Sequence, residues 1–307
     1  MITNRLHRLF TIIWLLLGVG LYAQQDPMYT QYMFNTLSVN PGYAGSFDAL
    51  SVLGLYRTQW VGLPGAPVTQ TFTIHSPLGY SNAGLGLSVV NDVVGPVHQT
   101  QVFLDYSYAI KVSETSKLRF GLKGGLGFYE GLLEDLDSEV PGDKYIVNFK
   151  GKIMPNIGIG LYYYGERGYL GLAAPKLLTP RFTVNNVDFG QLKRHYFLIG
   201  GYLFDVGNNL VFKPSFLVKA VEGAPLSIDL SGMLYIAERI GLGLSYRMDD
   251  SFSGLLQFFV TPSLRIGYAY DYTLTPLRHY GKGTHEVSLG YDFWYRSKQR
   301  IHSPRFF

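Results

Sequence analysis

The chain has 307 residues, no cysteine, a formal net charge of +4, and 16% charged residues against 15% aromatic ones. Soluble domains carry about 25% charged residues, so part of this surface is expected to face something other than water. The missing cysteine excludes disulfides, thiolate metal sites and a lipid-modified cysteine anchor, and the small, dispersed charge offers no footprint for nucleic acid.

Residues 1–23 read as a signal peptide: Arg5 and Arg8 give a positive start, Leu9 to Leu21 an apolar core, and Leu21-Tyr22-Ala23 a cleavage point before Gln24. The apolar run is shorter than the ~20 residues a spanning helix needs, and no later segment reaches that length without charges. Residues 24–48 follow as an aromatic, turn-rich leader with Tyr29, Tyr32, Phe34, Tyr43 and Phe47. So many aromatics are expected to be covered or to bind something.

From residue 49 to 295 the chain divides into about fourteen strand-like segments, an even number as bacterial single-chain barrels require. The spans are 49–60, 66–78, 83–94, 98–111, 117–130, 151–164, 167–174, 195–205, 209–220, 225–236, 239–248, 252–261, 263–273 and 284–295. Several alternate cleanly between an apolar and a polar face. Val287, Leu289, Tyr291, Phe293 and Tyr295 oppose Glu286, Ser288, Gly290 and Asp292; Leu118, Phe120, Leu122, Leu126 and Phe128 oppose Arg119, Gly121, Lys123, Gly125 and Gly127. The eighth segment is apolar on both faces, which leaves its register open. Connections alternate too: short turns at Ser113–Ser116, Gly165–Arg167, Val206–Asn208, near Glu238 and at Pro262, and longer loops at 131–150, 175–194, 221–224, 248–252 and 274–283. Outer-membrane barrels have short periplasmic turns and long outer loops. The fold class read here is therefore all-β, a transmembrane antiparallel β-barrel of about 14 strands over 49–295 with the leader before it. Residues 296–307 form a C-terminal tail beyond the last strand.

No residue set points to chemistry. The seven His are scattered, and His285 beside Glu286 reads as a rim or lumen pair. The acidic stretch Glu130, Glu134, Asp135, Asp137, Glu139, Asp143 lacks the glycine a calcium loop needs, having Val140 there. No enzyme, metal or cofactor is expected. Inferred lumen positions are often glycine (Gly121, Gly125, Gly158, Gly160, Gly241, Gly243), which leaves room for a plug. Lumen charges of both signs give no selectivity ring.

Asp26-Pro27-Met28-Tyr29-Thr30-Gln31-Tyr32-Met33-Phe34-Asn35 and Asn40-Pro41-Gly42-Tyr43-Ala44-Gly45 resemble the leader of the PorP/SprF-like family. Arg57-Thr58-Gln59-Trp60-Val61-Gly62, Gly84-Leu85-Gly86-Leu87 and Gly283-Thr284-His285-Glu286-Val287-Ser288-Leu289 extend the resemblance over nearly the whole mature chain. That family is associated with type IX secretion and gliding motility in Bacteroidetes, and it has no known catalytic residues. The resemblance implies an outer-membrane accessory barrel that binds a secreted adhesin-type substrate or a periplasmic component of the machine. A passive porin or small-solute transporter is the alternative.

Two groups are the candidate partner-binding residues. Arg57, Gln59 and Trp60 close the first strand at the first outer hairpin, where they form a docking patch or an interfacial aromatic with a lumen-facing Arg. Tyr29, Tyr32 and Phe34 lie in the leader. The leader is expected to pack in or under the periplasmic mouth as a partial plug; the alternative is that it docks a periplasmic partner and leaves the lumen open.

Overall fold

The computed structural model describes residues 26–79, 81–135, 146–184 and 187–294. The expected signal peptide, the tail at 296–307, Tyr295, and Asp137, Glu139 and Asp143 of the acidic stretch lie outside them.

Among the described residues the strands are β1 (Ala49–Thr58), β2 (Val68–Pro77), β3 (Ala83–Val94), β4 (Val97–Lys111), β5 (Lys117–Gly131), β6 (Phe149–Tyr164), β7 (Gly168–Lys176), β8 (Arg181–Val184), β9 (Val187–Gln191), β10 (His195–Tyr202), β11 (Phe204–Gly207), β12 (Leu210–Val221), β13 (Ser227–Ile236), β14 (Ile240–Arg247), β15 (Ser251–Phe259), β16 (Leu264–Thr273) and β17 (Thr284–Trp294). All but β8 and β9 belong to one antiparallel sheet. β10 and β11 pair with the same strand, β12, and only Leu203 separates them, so they act as one bent strand. The first strand pairs with the last, from Ala49↔Trp294 to Thr58↔His285. The sheet is thus a closed barrel of 14 strands, which leaves no unpaired edge for lipid to meet.

The burial pattern is inside out. On β4, Leu104, Tyr106, Tyr108 and Ile110 are exposed, while Asp105, Ser107 and Ala109 are buried. On β5, Leu122 is 59% exposed and its neighbour Lys123 only 4%. Water would penalise such an apolar exterior, whereas a bilayer accepts it. Exposed Tyr56, Tyr196, Tyr246 and Tyr272 ring one end of this exterior, and Tyr108, Tyr163 and Tyr202 ring the other. Amphipathic rings settle at the two membrane interfaces. The eighth strand's open register is resolved as well: Tyr196 and Leu198 face out, and Phe197 and Ile199 face in.

One mouth carries the connections 59–67, 95–96, 132–148, 177–194, 222–226, 248–250 and 274–283; the other carries 78–82, 112–116, 165–167, 208–209, 237–239 and 260–263. The expected long and short sets thus fall at opposite ends. By the outer-membrane rule the first mouth faces outward. β8 and β9 form a hairpin in the 177–194 connection that alternation did not reveal. Phe182 and Val184 of this hairpin pack on Tyr129, Phe149 and Met154 of the tall β5–β6 wall.

Candidate functional site

The leader runs through the lumen. At the outer mouth the Asp26 carboxylate accepts from Lys176 Nζ at 2.5 Å and lies 3.4 Å from His195 Nδ1, at the outer ends of β7 and β10. At the inner mouth Phe47 packs at a tilt against Trp294, with ring centroids 5.0 Å apart. The chain covers this distance through a helical turn at Thr36–Val39 and a 3-10 turn at Pro41–Tyr43. Asn40 shapes the second turn: its Oδ1 accepts from Gly42 N–H at 2.8 Å while its Nδ2 donates to the Leu161 carbonyl at 2.9 Å.

The upper half of the leader sits in an ionic seat. Arg57 on β1 donates to Glu286 on β17 and to Asp271 on β16, each at 2.9 Å. All three are almost fully buried. One cation between two carboxylates leaves acceptor capacity unmet, and the leader fills it. The Thr30 and Gln31 N–H groups donate to Glu286 at 3.0 and 2.8 Å, and the Thr30 hydroxyl donates to Asp271 at 2.8 Å. Beside them Arg247 makes a two-pronged bond to Asp229, at 2.7 and 3.0 Å, and also reaches the Tyr29 carbonyl. Buried charges are tolerated when paired and fully hydrogen-bonded, so the leader's backbone completes a seat that the wall alone leaves short of donors.

The lower half is held by packing and by cations on carbonyls. Lys123, ion-paired to Asp105 at 2.9 Å, also reaches the Leu37 carbonyl. Arg119 donates to the Ala44 carbonyl at 3.0 Å. Wall glycines make the room: a Cβ on Gly121 would collide with the backbone of Pro41 and Gly42, one on Gly160 with Asn40, and one on Gly84 with Ala44 and Gly45. Gly45 itself has φ +65°, a conformation glycine adopts without strain. Gly241 and Gly243, also inferred to line the lumen, instead accommodate wall side chains, Tyr235 and Met233. Tyr29, Tyr32, Met33, Leu37, Val39 and Tyr43 of the leader form one apolar cluster with wall residues such as Tyr162, Ile199 and Met233. The leader is therefore the centre of the barrel's core. A chamber of about 40 Å³ beside Asp26, Gln101 and Lys123 remains; it has room for water and little else.

The expected position of the leader in or under the periplasmic mouth is corrected by this path, which reaches the opposite mouth. A lumen that faces the leader with bare glycines, carbonyl-seeking cations and unmet carboxylates along its whole height holds the segment along its whole height. Of the candidate partner-binding residues, Arg57, Tyr29 and Tyr32 are buried and engaged inside, and Phe34 packs half-buried on the same cluster. Gln59 and Trp60 stand apart at the outer rim, both half-buried. Trp60 has φ 42°, rare for a bulky residue. Its N–H donates to Thr284 Oγ1 at 3.1 Å, and Val61 and Lys282 bind across to the 274–283 loop through Val61 N–H to Gly283 O and Lys282 N–H to Val61 O. Thr30 and the role of Glu286 escaped the sequence reading. The signal available was a lumen-face carboxylate on the last strand and a lumen-face Arg on the first, which closure of the barrel sets opposite each other.

In the acidic stretch, Glu130 pairs with Lys150 and Glu134 bonds to Asn148. Among the described residues no cluster of three or more His, Cys, Asp or Glu could hold a metal ion.

Solved structures similar to this chain include the Acinetobacter baumannii outer membrane protein Omp33, at 7% identity and TM-score 0.46, covering 81% of this chain and 99% of that one. The CymD monoaromatic hydrocarbon channel aligns at 14% identity and TM-score 0.47, covering 92% and 97%. A Pseudomonas aeruginosa FadL homologue aligns at 13% identity and TM-score 0.45, covering 87% and 95%. No curated protein shows significant similarity. The sequence profile of the type IX secretion system membrane protein PorP/SprF matches residues 21–291, most of the closed barrel and its leader together. This chain, an outer-membrane β-barrel with its leader inside, belongs to the PorP/SprF family of type IX secretion system membrane proteins.

Proposed function

We propose that this chain is a plugged accessory barrel that docks a secreted adhesin-type substrate, or a component of the secretion machine, on its rim and passes nothing through its lumen. One observation carries the reading: the leader completes the Arg57–Asp271–Glu286 seat and the apolar core around it, so the lumen is filled by the chain itself. A passive porin needs continuous water along its axis, and the filled lumen tells against that alternative. Docking therefore belongs to the mouths. The outer rim offers an ordered surface, since the 59–67 and 274–283 loops are bonded to each other and Gly95 N–H is bonded to Gly65 O. Rigid loops bind with a smaller ordering cost.

A photo-reactive residue placed at Val61, in cells that secrete adhesin-type cargo, tests the reading. A cross-link to such cargo or to a type IX component is expected at Val61, with none at Leu122 on the lipid face. Cross-links from neither the outer rim nor the short-turn position Glu114 would overturn it.

A further inference from the structure

We propose that the leader has a role in assembly besides filling the lumen: it is the template on which the first and last strands find each other. Among the described residues, β1 and β17 are the one pair of neighbouring barrel strands that are not consecutive in the chain. Arg57 and Glu286 meet across 229 residues of sequence. Strand pairing at that separation is slow, because the entropy of closing a long loop is lost before the contacts form. The leader runs directly into β1 and needs no such search, so it can stand beside the free edge of β1 before β17 arrives.

The leader's polar bonds to this seam gather at Thr30 and Gln31. Without β17, the leader and β1 still present three donors to one point: the Thr30 and Gln31 N–H groups and Arg57 Nη1, which all bond to the Glu286 carboxylate at 2.8–3.0 Å. Glu286 is the group that fits this cradle, and its capture sets β17 in register with β1. The Gln31 side chain then holds β17 through both ends: Nε2 donates to the Glu286 carbonyl at 3.2 Å, and Oε1 accepts from Ser288 at 2.7 Å. The Thr30 hydroxyl accepts from Arg57 Nη1 at 2.9 Å and donates to Asp271, so one leader group also ties β1 to β16. Hydrogen bonds to a charged group are about twice as strong as neutral ones. The inner end of the seam has a smaller set: Ser51 donates to Asp292 at 2.7 Å and accepts from Arg265 at 3.3 Å, with no leader atom in either bond. Closure therefore starts at the outer seat, on the leader, and zips inward.

Tryptophan fluorescence reads this event. Of the three Trp in the sequence, Trp14 lies in the expected signal peptide and the other two lie on the seam. Trp60 N–H bonds to Thr284, and Trp294 stands opposite Ala49. The test follows this signal while the chain from residue 24 onward folds from urea into detergent micelles, and again while it unfolds. Thr30→Val and Gln31→Ala should each slow closure about fivefold, the equivalent of about one hydrogen bond already made in the transition state, and leave the opening rate at the wild-type value. Thr30→Ser keeps the hydroxyl and should restore the closing rate. Ser51→Ala should do the reverse, with closing unchanged and opening faster. If Thr30→Val and Gln31→Ala only open faster, the leader enters after closure and the proposal is overturned; equal slowing by Ser51→Ala overturns it too. A leader that enters last fills the lumen just as fully, so either failure leaves the plugged-barrel reading standing.

Discussion

Arg57 and Glu286 stand directly opposite each other in the register that closes the barrel, and their 2.9 Å ion pair is also the seat of the leader. Closure of the sheet and capture of the leader are thus one event in space. Arg57→Ala leaves two buried carboxylates without their shared cation, and such a loss costs about 3–5 kcal/mol. Arg57→Lys should recover part of it, because a single ammonium does not reproduce the forked geometry. Denaturant unfolding in detergent micelles measures both. A value for Arg57→Ala within experimental error of wild type would remove the seat from this account.

Glycine positions separate the lumen from the lipid side of a single strand. Gly121→Val drives a side chain into Pro41 and Gly42 of the leader, whereas Gly124→Val points into open space. The first should make the leader susceptible to protease in the folded barrel, and the second should not. Equal protection in both variants would contradict the threaded path.

Lipid-facing and lumen-facing substitutions fail in different ways. Leu289→Arg, on an exposed apolar position of β17, should destabilise the barrel by roughly 2–4 kcal/mol if it lies near the bilayer midplane. Ser288→Arg, its neighbour in sequence, is not a mild change even though it faces inward. The Ser288 hydroxyl donates to Gln31 Oε1 at 2.7 Å and is buried, so an Arg there displaces the leader. Protease sensitivity of the leader should rise for Ser288→Arg and stay at wild-type level for Leu289→Arg.

The leader's outer end should respond to acid. Burial pushes the Asp26 carboxyl up, but Lys176 and then His195 outweigh burial and hold it at about 2. A carboxyl held below its unfolded value of about 3.9 stabilises the fold above that pH and loses the contribution as pH falls towards 2. Asp26→Asn should therefore flatten the fall in stability between about pH 4 and 2 relative to wild type. An unchanged slope would mean the Lys176 contact contributes nothing in solution.

Most of the wall was legible in the sequence, because a two-sided strand writes its faces into alternate residues. The pairs Leu122/Lys123 and Leu289/Ser288 point as alternation predicted. Alternation failed where its premise failed. Phe197 and Ile199 face the lumen yet are apolar, since what they meet there is the leader's apolar cluster and not water. The same substitution of protein for water explains why Tyr29, Tyr32 and Arg57, candidate partner-binding residues in the sequence, are engaged inside the barrel by the chain itself. Nothing periodic marks a segment that folds as turns inside another element, so its place could be read only from the wall glycines, and these did not say how far along the axis it ran. The β8–β9 hairpin is only four and five residues per strand, too short to show a period.

The most direct measurement is single-channel conductance in planar bilayers, comparing the intact protein with a form lacking residues 24–40. The filled lumen predicts that the intact barrel stays closed and that deletion opens a steady aqueous pore. An intact protein that conducts like an open porin, with no increase on deletion, would contradict the account.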